Sequence, residues 1–324
     1  MRRREFIAVL SGAAAWPLAA RAQQPAMPVV GLFRSTTAAP FTRVVEELRR
    51  GLSEQGFIEG RNVVLEQRWA NNQLDRLPAL AADLVRQKPA VIVANTPALQ
   101  VARTASPTTP MVFVVGDDPV KMGLVTSLNR PEGNVTGVTF FGGSLLGAKR
   151  LELLHELIPK MAVVAILMDR DSVFEIGLPD IEAAARVLGV KIVPIKVASD
   201  HDLDAAFDRI IGAKSDAVLF GGGPMLRSQL KQVVALASRH AIPTIYELRD
   251  YVEAGGLLSY AASFPGAYRQ AGIYAGLILK GVKPSELPVL QPTTFEMAIN
   301  LRTAKALGLD VPPTLLARAD EVIE

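Results

Sequence analysis

The chain has 324 residues, 49% of them hydrophobic and 6% aromatic, and it contains no cysteine. Disulfides and thiolate metal sites are excluded, and the composition is that of Val, Leu and Ala packed in α/β layers. The formal charge of +3 sits at the start: Arg2, Arg3, Arg4 and Arg21 outweigh Glu5 within the first 22 residues, and 31 basic side chains face 31 acidic ones beyond them, so the electrostatic case for a nucleic-acid partner falls away.

Residues 1–22 read as an export signal. Three arginines precede an apolar stretch from Phe6 to Ala20, broken by Ser11, Gly12 and Pro17, and Ala20-Arg21-Ala22 supplies a small-x-small cleavage pattern. A membrane-spanning helix needs about 20 apolar residues, and this run is shorter. Arg3-Arg4 resembles the twin-arginine pattern, and a plain Sec signal with an extra arginine is the other reading. With no cysteine to carry a lipid, the expected product is a soluble periplasmic protein and not a lipoprotein.

Strand-like and helical stretches then alternate. PVVGLF (28–33) reads as a strand, 41–55 as a helix with Phe41, Val44, Val45, Leu48 and Leu52 on one face, 62–70 as a strand, 76–87 as a helix and AVIVAN (90–95) as a buried strand. MVFVVG (111–116), a helix near 120–128 and VTGVTFF (135–141) complete a first unit. The rhythm restarts with a helix at 145–157, VVAILMD (163–169), a helix at 177–188, VKIVPIKV (190–197), a helix at 202–212, AVLFGGG (217–223), a helix at 226–239, PTIYE (243–247) and GLLSYAA (256–262). A helix at 265–280 and the segment 295–309 follow. Continuous apolar strands alternating with helices predict two parallel sheets covered on both faces. The economical path returns the chain to the first unit from about residue 264.

Ligands of open parallel sheets sit beyond the carboxyl ends of the strands. There the chain places Ser35-Thr36-Thr37, Asn95-Thr96-Pro97-Ala98, Gly116-Asp117-Asp118, Asp169-Arg170-Asp171-Ser172, Gly221-Gly222-Gly223 and Tyr246-Glu247, with Phe140-Phe141 where the chain passes between the units. Each position has a plainer reading too. Thr96-Pro97 is also an ordinary helix start, Asp117 and Asp118 also cap a following helix, Asp169 also satisfies turn amides, the triple glycine also makes a tight turn, and Phe140 also packs in a core. GGGP matches neither GxxxxGK[ST] nor GxGxxG, so no nucleotide cofactor is expected. His155, His201 and His240 lack metal-ligand spacing and there is no GxSxG elbow, so neither a metal nor a catalytic residue is assigned. Carboxylates such as Asp117 and Asp169 meeting across a cleft keep an enzyme reading open.

The segments EELRRGLSEQGFIEGRNVVLEQRWA (46–70), PMVFVVGDDPVKMGLVTSLNRPEGNVTGVT (110–139), KRLELLHELIPKMAVVAIL (149–167) and INLRTAKALGLDVPPTLLARADEVIE (299–324) resemble the ABC transporter substrate-binding protein family of the type-I periplasmic-binding fold, which includes tryptophan- and other aromatic-amino-acid-binding members. The resemblance implies two Rossmann-like lobes joined by a hinge, closing on one small molecule and delivering it to an inner-membrane permease with its ATPase. It implies a monomer without catalysis. It divides the chain into a signal at 1–22, a first lobe of 23–138 with 264–290, a second lobe of 139–263, and a segment 291–324 packing on one of them near the hinge. Carried onto this sequence, it points to Ser35, Thr36, Thr96, Pro97, Asp117 and Asp118 on the first lobe, and to Asp169, Gly222, Gly223 and Tyr246 on the second. Phe140 and Tyr246 are candidate aromatic walls, the amides at Thr96 and Ala98 a candidate anion site, and Asp117, Asp118 or Asp169 a candidate ammonium site. Relatives often carry Gly-Thr-Pro where this chain has Asn95-Thr96-Pro97, and an Asn-Pro loop where it reads Met168-Asp169-Arg170-Asp171. A charged loop there changes which ligands are tolerated, so an amino acid or a related organic solute is the expected class. A sensor module for a receptor kinase and an exported α/β hydrolase are the other readings.

Overall fold

The computed structural model describes residues 27–116, 118–140, 144–170, 175, 177–293 and 295–324; the export segment 1–22 and Asp117 lie outside them. Strands β1 (Val29–Arg34), β2 (Val64–Trp69), β3 (Val91–Ala94), β4 (Met111–Val115) and β5 (Val135–Thr139) form a parallel sheet in the order β2-β1-β3-β4-β5. Helices α1 (Thr42–Glu54), α2 (Leu77–Arg86) and α3 (Thr96–Ala105) provide the crossovers. The central strands are buried along their whole length, which is why they read as unbroken apolar runs.

The second sheet opens with α4 (Ser144–Leu157) and continues through β6 (Val163–Asp169), α5 (Leu178–Leu188), β7 (Lys191–Val197), α6 (Leu203–Gly212), β8 (Ala217–Gly222), α7 (Pro224–Ser228), α8 (Leu230–Arg239), β9 (Thr244–Tyr246), α9 (Arg249–Glu253) and β10 (Leu258–Ala261). Two further strands come from the end of the chain, β11 (Glu296–Asn300) and β12 (Glu321–Ile323), with α11 (Leu301–Ala306) and α12 (Pro313–Leu316) between them. The order is β12-β11-β10-β9-β8-β6-β7, parallel except where β10 meets β11. That exception has a geometric cause. The chain enters β11 from the side on which the other strands end, so it runs against them.

Three segments pass between the sheets. β5 leads into α4, β10 leads into α10 (Phe264–Leu279), and residues 287–290 run beside β5 before the chain enters β11. The third crossing is pinned: Thr136 Oγ1 donates to the Leu287 carbonyl at 2.7 Å, and the amides of Thr139 and Leu290 donate to Leu290 and Gly137. Two α/β lobes joined by a hinge are therefore the architecture, and one apolar cluster runs through both, from Val30 and Phe41 past Phe140 and Phe264 to Leu167 and Phe220. Among the described residues no helix is long and apolar enough to cross a membrane.

Two helix expectations change in detail. Residues 120–128 make one turn only, from the Asp118 carbonyl to the Met122 amide, because Gly123 takes a left-handed φ of 67° and ends it. The helix expected over 226–239 is split at Gln229, where φ and ψ of −103° and 22° leave the helical region, so α7 and α8 are separate.

Helices α1 and α10 cross at two glycines. A Cβ on Gly272 would run into the Leu48 carbonyl, and one on Gly51 into the Arg269 carbonyl. Gly272→Ala gains about 1 kcal/mol of helix propensity, but overpacking against stiff backbone costs about 1–3 kcal/mol. The expected outcome is a net loss of stability with a lowered melting temperature by circular dichroism; an unchanged or raised value would show that the crossing yields.

Candidate functional site

In each sheet the strand order reverses once, between β1 and β3 and between β6 and β8, and such switch points open a crevice at the carboxyl ends of the strands. At the first, the Ser35 amide donates to Asn95 Oδ1 at 3.1 Å and Asn95 Nδ2 donates to Ser35 Oγ at 2.8 Å. Thr36 is buried and its Oγ1 accepts from Arg34 Nε at 3.2 Å. The loop after β2 closes over this exit: the amides of Ala70, Asn71 and Asn72 donate to the carbonyls of Arg34, Thr36 and Ser35. Thr96 and Pro97 start α3 half-buried beside Asn95, whose side chain serves Ser35 and does not cap the helix. Asp118 Oδ1 accepts from the amides of Val120 and Lys121, closing its own turn.

At the second switch point Asp169 ends β6, and its two oxygens accept from the amides of Met225 at 2.9 Å and Leu226 at 3.1 Å. Gly222 and Gly223 adopt φ of 71° and 139°; a Cβ would strike Glu247 from the first and Asp169 from the second. The bare backbone thus lets both carboxylates reach α7. Glu247 is fully buried and accepts from Arg227 Nε at 2.5 Å and Nη2 at 3.0 Å. Arg150 of α4 is also buried, donates from Nε to the Tyr260 carbonyl at 2.8 Å and adds positive charge beside Glu247. Burial pushes Asp169 up to about 7, against the pull of the two amides and Arg227.

The candidate site centres on a residue that is not among those the sequence singles out. Arg34, the last residue of β1, is 1% exposed. Its guanidinium lies 4.3 Å from the ring centroid of Phe41, 5.1 Å from Tyr268 and 5.7 Å from Trp69. Among the described residues no acceptor reaches its Nη1, and Arg227 of the other lobe lies close enough to repel it. Burial first, and that repulsion second, push Arg34 down to about 9, so it remains charged at neutral pH. The aromatic arc continues: Phe264 meets Phe41 at 6.3 Å, Tyr268 at 5.3 Å and Phe140 at 4.7 Å, and Arg227 lies over Phe140 at 4.9 Å. The lobes also touch directly, with Asn72 Nδ2 donating to Ser228 Oγ at 2.8 Å.

Tyr246 lies elsewhere. It stacks on Tyr251 at 4.7 Å and 9°, beside Phe220, inside the second lobe, and its ring edge abuts Gly256. The aromatic faces at the seam are those of Phe41, Trp69, Phe264 and Tyr268, together with the expected Phe140. The available signal for Arg34 was a charge at the end of an otherwise apolar strand at a crevice. Among the described residues no three His, Cys, Asp or Glu side chains gather to hold a metal.

Fold and site together define a two-lobed, hinged α/β binding protein. A profile of the family described as "ABC transporter substrate binding protein" matches residues 39–323. The tyrosine-binding protein of Clostridioides difficile strain R20291 is 26% identical over 262 residues, 80% of this chain and 75% of that protein. The crystal structure of a conserved domain protein from Vibrio cholerae superposes with a TM-score of 0.83 at 25% identity, over 91% of this chain and 99% of that one. An ABC domain in complex with L-Trp from Streptococcus pneumonia gives 0.82 at 23% identity, over 92% and 100%. The chain belongs to the ABC transporter substrate-binding protein family.

Two outcomes follow from the buried charges. Desolvating an ion costs several kcal/mol, and cation–π contacts return about 0.5–2 kcal/mol. Arg34→Met should therefore stabilise the solute-free protein by about 1–3 kcal/mol, read as a melting temperature several degrees higher; a fall would make the arginine a structural prop. Asp169 binds its proton more readily folded than unfolded, so it should lower stability as pH rises from about 4 through 7, by at most about 4 kcal/mol. Urea midpoints across that range should slope less in Asp169→Asn than in the natural protein, and parallel slopes would remove the effect.

Proposed function

We propose that the chain is the extracytoplasmic solute-binding component of an ABC importer, holding one small organic solute between its lobes and passing it unchanged to a membrane permease with its own ATPase. The observation that carries this reading is Arg34: a buried charged side chain whose Nη1 has no acceptor among the described residues, ringed by aromatic side chains, at the seam of two hinged lobes. Such a group destabilises the apposed lobes until something compensates it. A solute that touches both lobes binds the closed form better than the open one, and that difference shifts the population.

The export signal at 1–22 supports a periplasmic location, and the division at residues 138 and 264 supports one lobe on each side of the crevice. The relative from C. difficile named a tyrosine-binding protein and the S. pneumonia structure holding L-Trp support a solute with a flat apolar part. Phe264 and Tyr268 of α10 with Phe41 and Phe140 offer it a wall.

Native mass spectrometry of the mature protein, purified without denaturation, should reveal a noncovalent adduct of a few hundred daltons. After a denaturant wash and refolding, small-angle scattering should show a larger radius of gyration that contracts when the released solute is returned. A protein with no adduct and a radius indifferent to its own extract, or one that converts the solute, would defeat this reading.

A further inference from the structure

The charges at the seam specify more than a solute of unstated kind. Among the described residues three guanidiniums, Arg34, Arg150 and Arg227, meet two carboxylates, Asp169 and Glu247. Both carboxylates are engaged on both oxygens, Glu247 by the fork of Arg227 and Asp169 by two backbone amides. Each oxygen keeps a further lone pair, but both carboxylates are already compensated, and among the described residues three cations against two carboxylates leave a positive surplus that a zwitterion does not offset and an acid does. The unmet demands are of another kind. Among the described residues Arg34 Nη1 is a buried cationic donor with no acceptor, Asn72 Oδ1 is a buried neutral acceptor with no donor, and the Tyr268 hydroxyl beside the guanidinium is buried without a partner. Arg34 and Asn72 belong to one loop cluster, since the Asn72 amide donates to the Ser35 carbonyl at 2.8 Å.

We propose that the solute is a flat organic acid, an aromatic carboxylate bearing a neutral hydroxyl or N–H donor, whose carboxylate pairs with Arg34 and whose recognition needs no α-ammonium group. The inference rests on the solute-binding reading above. Its chemistry follows from the seam. A carboxylate supplies the missing counter-charge and an acceptor for Nη1, the ring lies along the arc that already stacks on the guanidinium, and the neutral donor meets Asn72. Closing the lobes then desolvates an ion pair in place of a lone cation, which couples binding of an anion to closure.

Calorimetry and melting shifts on the mature, denaturant-washed protein test this with matched compounds: tyrosine and tryptophan, their des-amino acids hydroxyphenylpropionate and indolepropionate, and their decarboxylated amines tyramine and tryptamine, with para-hydroxybenzoate as a shorter acid. At least one acid should bind as tightly as, or more tightly than, its parent amino acid, and the amines should give no shift. Arg34→Met should weaken the acid about a hundredfold or more, and Arg34→Lys should keep part of the affinity. An amino acid favoured more than tenfold over its des-amino partner, a bound amine, or an Arg34→Met variant with unchanged affinity overturns the inference. If no acid binds while the native adduct is present, the inference falls and the solute-binding reading survives; with no adduct either, both fall.

Discussion

A cation withdrawn from water, with no counter-ion among the described residues, governs this molecule. Arg34 stands at the end of β1, opposite Trp69 in the sheet register, with Phe41 and Tyr268 against its guanidinium. Aromatic faces compensate a buried charge only in part. The surrounding structure therefore has to hold the arginine in place, and it does so through backbone. Three amides of the loop after β2 fix the carbonyls of Arg34, Ser35 and Thr36, and Asn95 spends its side chain on Ser35 instead of capping its own helix.

The second lobe answers with a balanced arrangement. Glu247 neutralises Arg227, and Asp169 holds the start of the short helix that carries it. Glycines at 222 and 223 make room for both carboxylates. Ser228, one residue beyond Arg227, is the hydroxyl that Asn72 reaches from the first lobe. Any movement of α7 consequently bears on the Asp169 amide bonds, the Glu247 ion pair and the lobe contact together. The hinge adds a second coupling, because α10 begins directly after a crossing and presents Phe264 and Tyr268 in its first turns. Its glycine contact with α1 sets how near those rings come to Phe41.

Much of the fold was legible in the chain. Runs such as MVFVV and VIVA are continuous because their strands are covered on both faces, and helices such as 42–54 show one apolar stripe because one face alone is buried. The legible part of the site was the set of strand exits, since polar residues after apolar strands mark carboxyl ends. The single turn at 118–123 escaped because a glycine ended it, and Tyr246 escaped because residue type does not reveal which way a ring points at a strand end. Glu247 stood among those exits, yet its pairing with Arg227 depends on α7 being held at the end of β6 by Asp169.

By itself, then, the sequence determined two α/β units, where their strands end and the family to which the chain belongs, all of which follow from local periodicity and short motifs. The tertiary structure alone decided which exits become neighbours, since the reversals of order at β1/β3 and β6/β8 set Ser35 beside Asn95 and Asp169 beside α7. It also decided what Arg34 is. An arginine in a polar loop is ordinary as long as water surrounds it, and only the rings converging from 41, 69 and 268 remove that water. Solvation is a property of the assembled neighbourhood, and no local pattern encodes it.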